Sequence, residues 1–357
     1  MSALSRPGSQ PPLGAPPEAV RAWFDTAAAA VLPPPDGTLA GARVAAAAYA
    51  SRARADNTRR AYRAGVRAWC AWCDAHGLVP LPAAPDDVAA FLAAERLRGL
   101  SVATLALRRA AIRALHFLAG VPVPTAAAGV AATMAGLQRD AAARGARPGR
   151  KQAATLGVLR DILAAIPDDL PGLRDRALLL VGFAGALRRA ELAALRVEHV
   201  EAAPRGLRLI LPRSKGARDG RAVTVALPYG RSELCPVRAL RRWQEAAGIS
   251  EGPLFRRLFA PPPRRADAGP PAPVPGTAAL DPGSIARIVR RRAAAAGLDP
   301  AAFGGHSLKR GALTTGMEHG AHPTRLKQLA RHRSYAALDA YLELGDPFES
   351  HPLNGLL

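Results

Sequence analysis

The chain carries GHSLKRGALTT at residues 305–315 and LARHRSYAALDAYL at residues 329–342, two stretches rich in groups that can handle a phosphate. His306, His332 and Tyr341 are those groups; His332 follows His306 by 26 residues, and Tyr341 follows His332 by nine. An imidazole exchanges protons near neutral pH, and a phenol oxygen can act as a nucleophile. The pattern therefore predicts a phosphate-handling site formed late in the chain.

Two earlier segments add cations to this set. The run GALRRAELAALRVEHV at residues 185–200 contains Arg188 and Glu191, and Lys215 stands in a Ser-Lys-Gly context between two stretches of alternating hydrophobicity. That alternation, at 207–211 and 222–227, predicts a β-hairpin with Lys215 near its tip. A lysine at a hairpin tip usually just faces solvent. Lysine occurs only four times in this arginine-rich chain, which favours a function for Lys215.

In order and separation, these segments resemble the tyrosine recombinases, also called the phage integrase family. The resemblance covers roughly Asp56 to Leu342, most of the chain. It implies a catalytic set, in which Glu191 orients the turn that carries the first arginine. By this match the catalytic residues are Arg188, Lys215, His306, Lys309, His332 and Tyr341.

One position departs from the family pattern. The family has an arginine three residues after the first histidine, whereas this chain has Lys309 there, with Arg310 next to it. Lysine keeps the charge but loses the two-pronged geometry of a guanidinium. Either Lys309 grips the phosphate with a single contact, or Arg310, on a neighbouring helical face, replaces it; decayed catalysis is a third reading. Lys309 is favoured, because Gly311 and Ala312 then stay in register with the family.

The resemblance also implies a chemistry. Tyr341 would attack a DNA phosphate and form a 3′-phosphotyrosyl link, while Arg188 and the histidines stabilise the charge on the phosphate oxygens. Lys215, on a mobile loop, would protonate the leaving 5′ oxygen. Fixed cations take the place of a metal, so no metal and no cofactor are expected.

The bulk numbers agree with a polyanionic partner. The chain has 357 residues, enough for two domains, and a formal net charge of +21. A GC-rich genome, whose codons inflate arginine, is the alternative explanation of that charge. Three cysteines do not make a disulfide framework, and Cys70 and Cys73 are expected in a core. No apolar run long enough to span a membrane and no secretory signal are visible, so a bacterial cytoplasmic protein, nucleoid-associated when bound to DNA, is expected.

The expected fold is mainly α-helical with a small antiparallel β-sheet (α+β): a helical, SAM-like core-binding bundle followed by a tyrosine-recombinase catalytic domain. In the bundle, helices are expected to begin near Asn57, Asp86, Ser101 and Thr125. The expected divisions are a flexible arm at 1–44 with at most a short helix near Val20 to Phe24, the bundle at 45–145, a basic linker at 146–154, the catalytic domain at 155–346 with a disordered loop at 260–283, and a tail at 347–357.

Arginines that lie off the apolar stripes of the bundle suggest a clamp on double-stranded DNA. The candidate DNA-binding residues are Arg59, Arg60, Arg109, Lys151 and Arg310. A merely solvated face would look similar.

The leading functional hypothesis is a site-specific recombinase or integrase of bacterial or mobile-element origin. It would act as a homo-tetramer on DNA and is expected to be a monomer in free solution. A relaxing topoisomerase of type IB shares the residue set, and a non-catalytic DNA-binding protein descended from a recombinase is a third reading.

Overall fold

The computed structural model describes residues 11–27, 37–39, 41–42, 45, 49, 56–144, 151–212, 222–261, 271–332 and 334–339. The chain divides into two compact units, residues 1–149 and 150–357. Both are mainly helical, and the second also holds antiparallel strands, as the sequence predicts.

The first unit is a helical bundle. Its fully described helices are α1 (Pro17–Ala27), α2 (Asp56–His76), α3 (Pro85–Leu97), α4 (Val102–Ala119) and α5 (Ala128–Ala143). Helix α4 begins as predicted, because the Ser101 side chain accepts a hydrogen bond from the Thr104 amide. Trp69 and Phe91 meet edge to face at 5.3 Å in the centre of the core. Cys70 and Cys73 lie in the same core, and burial raises the pKa of each thiol to about 12.

Helix α1 corrects the expectation of a flexible arm at 1–44. Val20 and Phe24 are 0% and 2% exposed and belong to the core of the bundle. Burying side chains of this size is worth about 1.5–3 kcal/mol each. The expected short helix near these residues is therefore the centre of an 11-residue helix that packs on α2.

The second unit is built around a long apolar helix. Its helices are α6 (Leu156–Ala164), α7 (Leu170–Ala184), α8 (Arg189–Ala193), α9 (Pro236–Ala247), α10 (Pro282–Ala295), α11 (Ser307–Glu318), α12 (Pro323–Ala330) and α13 (Tyr335–Asp339). Helix α7 is mostly buried and packs against α9 and α11. It ends just before the segment that carries Arg188.

A three-stranded antiparallel sheet in the order β1-β2-β3 lies beside these helices. Its strands are β1 (Val200–Ala203), β2 (Gly206–Leu211) and β3 (Val223–Pro228). Leu207, Leu209 and Leu211 are all buried, so β2 turns alternate side chains into the core. The predicted hairpin is confirmed, with Leu209 opposite Val225.

Two expected boundaries are wrong in part. Residues 151–154 were expected in the linker, yet the amide of Ala154 donates to the Ser307 carbonyl, and Ala153 and Ala154 are buried in the second unit. Part of the expected loop at 260–283 is strand β5 (Val274–Ala279), which pairs with β4 (Arg256–Phe259). The cause in both places is pairing with distant segments, which satisfies backbone groups irrespective of local composition.

Candidate active site

The turn between α7 and α8 holds Arg188 through Glu191. Arg188 is the N-cap of α8, and its backbone amide donates to Glu191 Oε2 at 2.8 Å. Its guanidinium Nη1 donates to Glu191 Oε1 at 2.7 Å. Glu191 therefore fixes both the backbone and the side chain of the arginine, in agreement with the orienting role that the resemblance implies. Ala186, two residues earlier, adopts a positive φ of 43° and is fully buried.

The same carboxylate is shared by Arg331, which sequence reasoning missed. Arg331 Nη2 donates to Glu191 Oε2 at 2.8 Å and to the Ala186 carbonyl at 2.7 Å. Burial alone would raise the pKa of Glu191, but Arg331 and then the bonds from Arg188 hold it below its usual value. No motif pointed to Arg331; the only signal in the chain is its place directly before His332.

His306 stands at the entrance to α11. It is the N-cap of that helix and is exposed. A β-carbon at Gly305 would overlap the Cδ and Cγ atoms of Arg189, so the Arg189 stem lies directly across the backbone before His306. Glycine at 305 thus lets the turn that carries Arg188 approach the start of α11 closely.

Lys309, one turn further along α11, is completely buried and donates from Nζ to the Ala330 carbonyl at 2.5 Å. Arg310 is also buried, at 5% exposed. Burial first, and then the charges of Arg188 and Arg331, lower the pKa of Lys309 to about 7, against a smaller opposing effect of Glu191. Lys309 therefore lies within electrostatic reach of the Arg188 turn.

His332 follows the end of α12, where its backbone amide donates to the Lys327 carbonyl at 3.0 Å. Burial first, and then the positive charges of Lys309, Arg188 and Arg331, lower its pKa to about 4. The structure thus brings together Arg188, Lys309 and His332, the first and last of which are 144 residues apart in the sequence.

Lys215 and Tyr341 lie outside the described residues. A cavity of about 320 Å³ is lined in part by Glu191, His199 and Pro212, and Pro212 begins the connection that carries Lys215. Tyr335, the tyrosine nearest to Tyr341 in the sequence, is half exposed, and its hydroxyl shares a hydrogen bond of 2.8 Å with the Thr324 hydroxyl.

The candidate DNA-binding residues are spread over both units. Arg60 is exposed and reaches Asn57, while Arg59 and Arg109 are half-buried. Lys151 is exposed and donates from Nζ to the Ala301 carbonyl at 2.5 Å, which ties it to the second unit. Arg310 is buried in α11 and does not present an open surface.

Two features are absent from the ranges that the structure describes. No group of three or more histidine, cysteine, aspartate or glutamate side chains there is arranged to hold a metal ion. Within the same ranges, none of the helices combines the length and the apolar character needed to cross a bilayer.

Comparison with known proteins identifies the class. The phage integrase N-terminal SAM-like domain matches residues 48–119, and the phage integrase family matches residues 155–346, more than half of the chain. The chain belongs to the phage integrase family.

Individual relatives indicate which kind of protein within the family this chain resembles. An integrase/recombinase from Selenomonas ruminantium, named as a XerD homolog, is 32% identical over 309 residues, covering 85% of this chain and 86% of the relative. The Cre recombinase of Escherichia phage P1 is 27% identical over 198 residues, covering 54% and 56%. The protein is accordingly a tyrosine recombinase, an enzyme of site-specific DNA recombination.

Solved structures agree on the fold. The XerH site-specific recombinase bound to palindromic difH substrate has a TM-score of 0.62 at 12% identity, covering 99% of this chain and all of that one. The Tn1549 transposon integrase in complex with circular intermediate DNA has a TM-score of 0.55 at 15% identity, covering 87% and 98%. At these identities the likeness concerns the architecture alone.

Proposed function

We propose that this recombinase binds double-stranded DNA and cuts it by transesterification at Tyr341. The phenol gives up its proton to His306, and the phenolate oxygen attacks the phosphorus, forming a 3′-phosphotyrosyl bond. The bond from phosphorus to the 5′ oxygen breaks, and Lys215 gives that oxygen a proton. Rejoining reverses these steps with a 5′ hydroxyl as the nucleophile, so one phosphodiester replaces another and no nucleotide is consumed.

In this proposal Arg188, Lys309 and His332 bind the non-bridging oxygens of the phosphate. The supporting observation is the crowding of cations around His332, whose pKa is held near 4 by burial and by its positive neighbours. Such crowding is unfavourable by itself and becomes favourable when a dianionic pentacovalent phosphate forms in the same pocket. The site is therefore suited to stabilise the transition state more than the free protein.

Lys309 is proposed as the second phosphate-gripping cation in preference to Arg310. The charges that depress the pKa of His332 include Lys309, Arg188 and Arg331. An ammonium has three N–H donors, so Lys309 can keep its bond to the Ala330 carbonyl and still turn donors toward a phosphate oxygen.

We further propose that two DNA duplexes are held by a tetramer of this chain, with the bundle of the first unit and the second unit gripping each duplex. The net charge of +21 and the exposed side chains of Arg60 and Lys151 support contact with phosphates along the duplex. The covalent step requires one copy of Tyr341 for each strand that is cut. A bacterial cytoplasmic location remains a prediction.

The test is capture of covalent protein–DNA complexes. Purified protein is incubated with fragmented DNA from the source genome, free protein is removed under denaturing conditions, and the attached DNA ends are sequenced. The proposal predicts recurring ends at one sequence from the wild type and none from Tyr341→Phe. A nicked suicide substrate built on that sequence should then accumulate covalent product.

The same experiment separates the alternatives. Binding of DNA without covalent product in the wild type would mean a non-catalytic binding protein. Covalent ends scattered without a shared sequence, together with relaxation of any supercoiled plasmid, would mean a topoisomerase-like enzyme.

A further inference from the structure

Arg331 combines two unusual features. Among the described residues, only Arg331 and Ala186 adopt a positive φ without being glycine, at 56° and 43°. That backbone region is unfavourable for an L-residue, because the β-carbon comes too close to the following carbonyl oxygen. The two strained residues touch, since Arg331 Nη2 donates to the Ala186 carbonyl at 2.7 Å. Strain at two contacting positions persists only where surrounding interactions compensate for it.

The guanidinium of Arg331 supplies that compensation. Nη1 donates to the carbonyls of Gly185 at 3.1 Å and Leu329 at 2.8 Å. Nη2 donates to the Ala186 carbonyl and to Glu191. The two terminal nitrogens carry four N–H groups in all, and four protein acceptors receive them. With four of its five N–H groups bonded to protein and its side chain only 6% exposed, Arg331 serves mainly as a link within the protein.

These bonds join two parts of the site that are remote in sequence. Arg331 ends α12 in a left-handed cap, and the next residue is His332. Its side chain reaches back about 140 residues to the turn that carries Arg188. In the residue just before Arg331, the Ala330 carbonyl accepts a hydrogen bond from Lys309 Nζ. The peptide before His332 is thereby tied to α11 through Lys309 and to the Arg188 turn through Arg331.

The sharing of Glu191 has an electrostatic consequence. Two guanidiniums, of Arg188 and Arg331, pair with one carboxylate, which leaves one positive charge uncompensated. Without Arg331, Glu191 would neutralise Arg188 alone and bind it more tightly. Arg188 would then be both less well placed and less available for a phosphate.

We propose that Arg331 is a positioning residue that locks the turn at 185–191 against the segment before His332, and so presents Arg188 to the DNA phosphate. This assignment of its catalytic effect rests on the proposed function of the site. Glycine at 331 would accept the backbone conformation without strain, so Arg331→Gly removes the guanidinium with little backbone penalty. Arg331→Lys keeps the charge and loses the forked geometry.

The first measurement is amide hydrogen exchange on the free protein, which needs neither DNA nor activity. In Arg331→Gly, exchange in residues 185–191 should become at least about tenfold faster, because the charge-assisted hydrogen bonds to Gly185, Ala186 and Glu191 are lost. Exchange in the buried middle of α7 should not change. Arg242→Gln, which removes an exposed arginine paired with Asp168, is the control and should leave both regions as in the wild type.

The second measurement is single-turnover cleavage of the suicide substrate, with DNA affinity measured in parallel. Arg331→Gly should cleave about 100-fold more slowly, with DNA affinity within about threefold of the wild type, because misplacement affects the transition state and not the encounter. The cleavage rate of Arg331→Lys should lie between those of Arg331→Gly and the wild type. In a Glu191→Gln background, Arg331→Gly should cost less than about fivefold, because the pairing it served is already broken.

Each outcome of these measurements either supports or overturns the positioning role of Arg331. Unchanged exchange at 185–191, or exchange that accelerates equally throughout the second unit, would overturn the positioning role. So would equal losses from Arg331→Gly in the wild-type and Glu191→Gln backgrounds. If Arg331→Gly fails to fold, Arg331→Lys provides the same comparison. If the wild type forms no covalent product, the proposed function falls, and the exchange measurement alone decides the role of Arg331.

Discussion

Two buried carboxylates of the second unit, Asp175 and Glu191, have similar partners but different surroundings. Asp175 is fully buried in α7 and pairs with Arg174, Arg291 and Arg292. In both places arginines outnumber the acid. Arg291, however, is 58% exposed, so water screens the excess positive charge around Asp175.

Around Glu191 the excess charge is kept from water. The side chains of Glu191, Arg331 and Arg188 are 4%, 6% and 20% exposed, and Lys309 is completely buried. The pKa of Lys309 and that of His332 are both lowered, first by burial and then by neighbouring cations. The contrast teaches that buried ion pairs alone do not identify a phosphate-binding site. What identifies such a site is excess positive charge that water does not screen and that a bound anion would neutralise.

The largest expected effect is that of Arg188→Ala on catalysis. Removing a preorganised donor to a charged transition state costs roughly 10³-fold in rate. Cleavage of the suicide substrate should fall by about this factor while DNA affinity changes little, since many other cations contact the duplex. If Arg188→Ala cleaves at a rate within tenfold of the wild type, Arg188 does not contribute to the catalytic site.

Asp175→Asn should have a smaller effect, and on a different quantity. Removing one member of a buried ion pair strands its partners and costs about 3 kcal/mol of stability. Chemical denaturation should show that loss for the second unit, whereas the cleavage rate per folded molecule should match the wild type. Loss of cleavage without loss of stability would abolish the distinction between the two carboxylates.

The smallest effect is expected for Lys309→Arg, which should keep or raise cleavage, by up to about tenfold, because a guanidinium can grip two oxygens. Its advantage should grow with pH. Since the pKa of Lys309 is about 7 in the free protein, the ammonium is mostly charged at pH 6 and mostly neutral at pH 8, whereas arginine stays charged.

The ratio of the cleavage rate of Lys309→Arg to that of the wild type should therefore rise from pH 6 to pH 8.5. It is measured at DNA concentrations far below saturation, where the protonation state of the free protein affects the rate. A flat ratio would mean that the charge of Lys309 is not used. A total loss of cleavage in Lys309→Arg would show that the alignment of α11 with the family pattern is wrong.

Much of the architecture was accessible from local pattern. The cap at Ser101 and the alternation in β2 depend on residues close together in sequence, and both predictions are confirmed. Strand β5 was missed because its sequence, VPGTAA, has no such pattern and its pairing with β4 depends on a distant segment. Helix α1 was underestimated because only its packing on α2 shows that Val20 and Phe24 are buried.

The same limit applies to the site. The resemblance to the family assigns Arg188, His306, Lys309 and His332 to the site, and the structure brings Arg188, Lys309 and His332 into one electrostatic environment. Arg331 could not be chosen that way. Its role depends on a left-handed backbone angle and on contacts about 140 residues away, neither of which leaves a periodic trace in the sequence.

Mass spectrometry of the trapped protein–DNA adduct tests the central claim most directly. After nuclease and protease digestion, one peptide should retain a nucleotide through a phosphotyrosyl bond, and fragmentation should assign it to Tyr341. An adduct on Tyr335, or one that persists in Tyr341→Phe, would contradict the account.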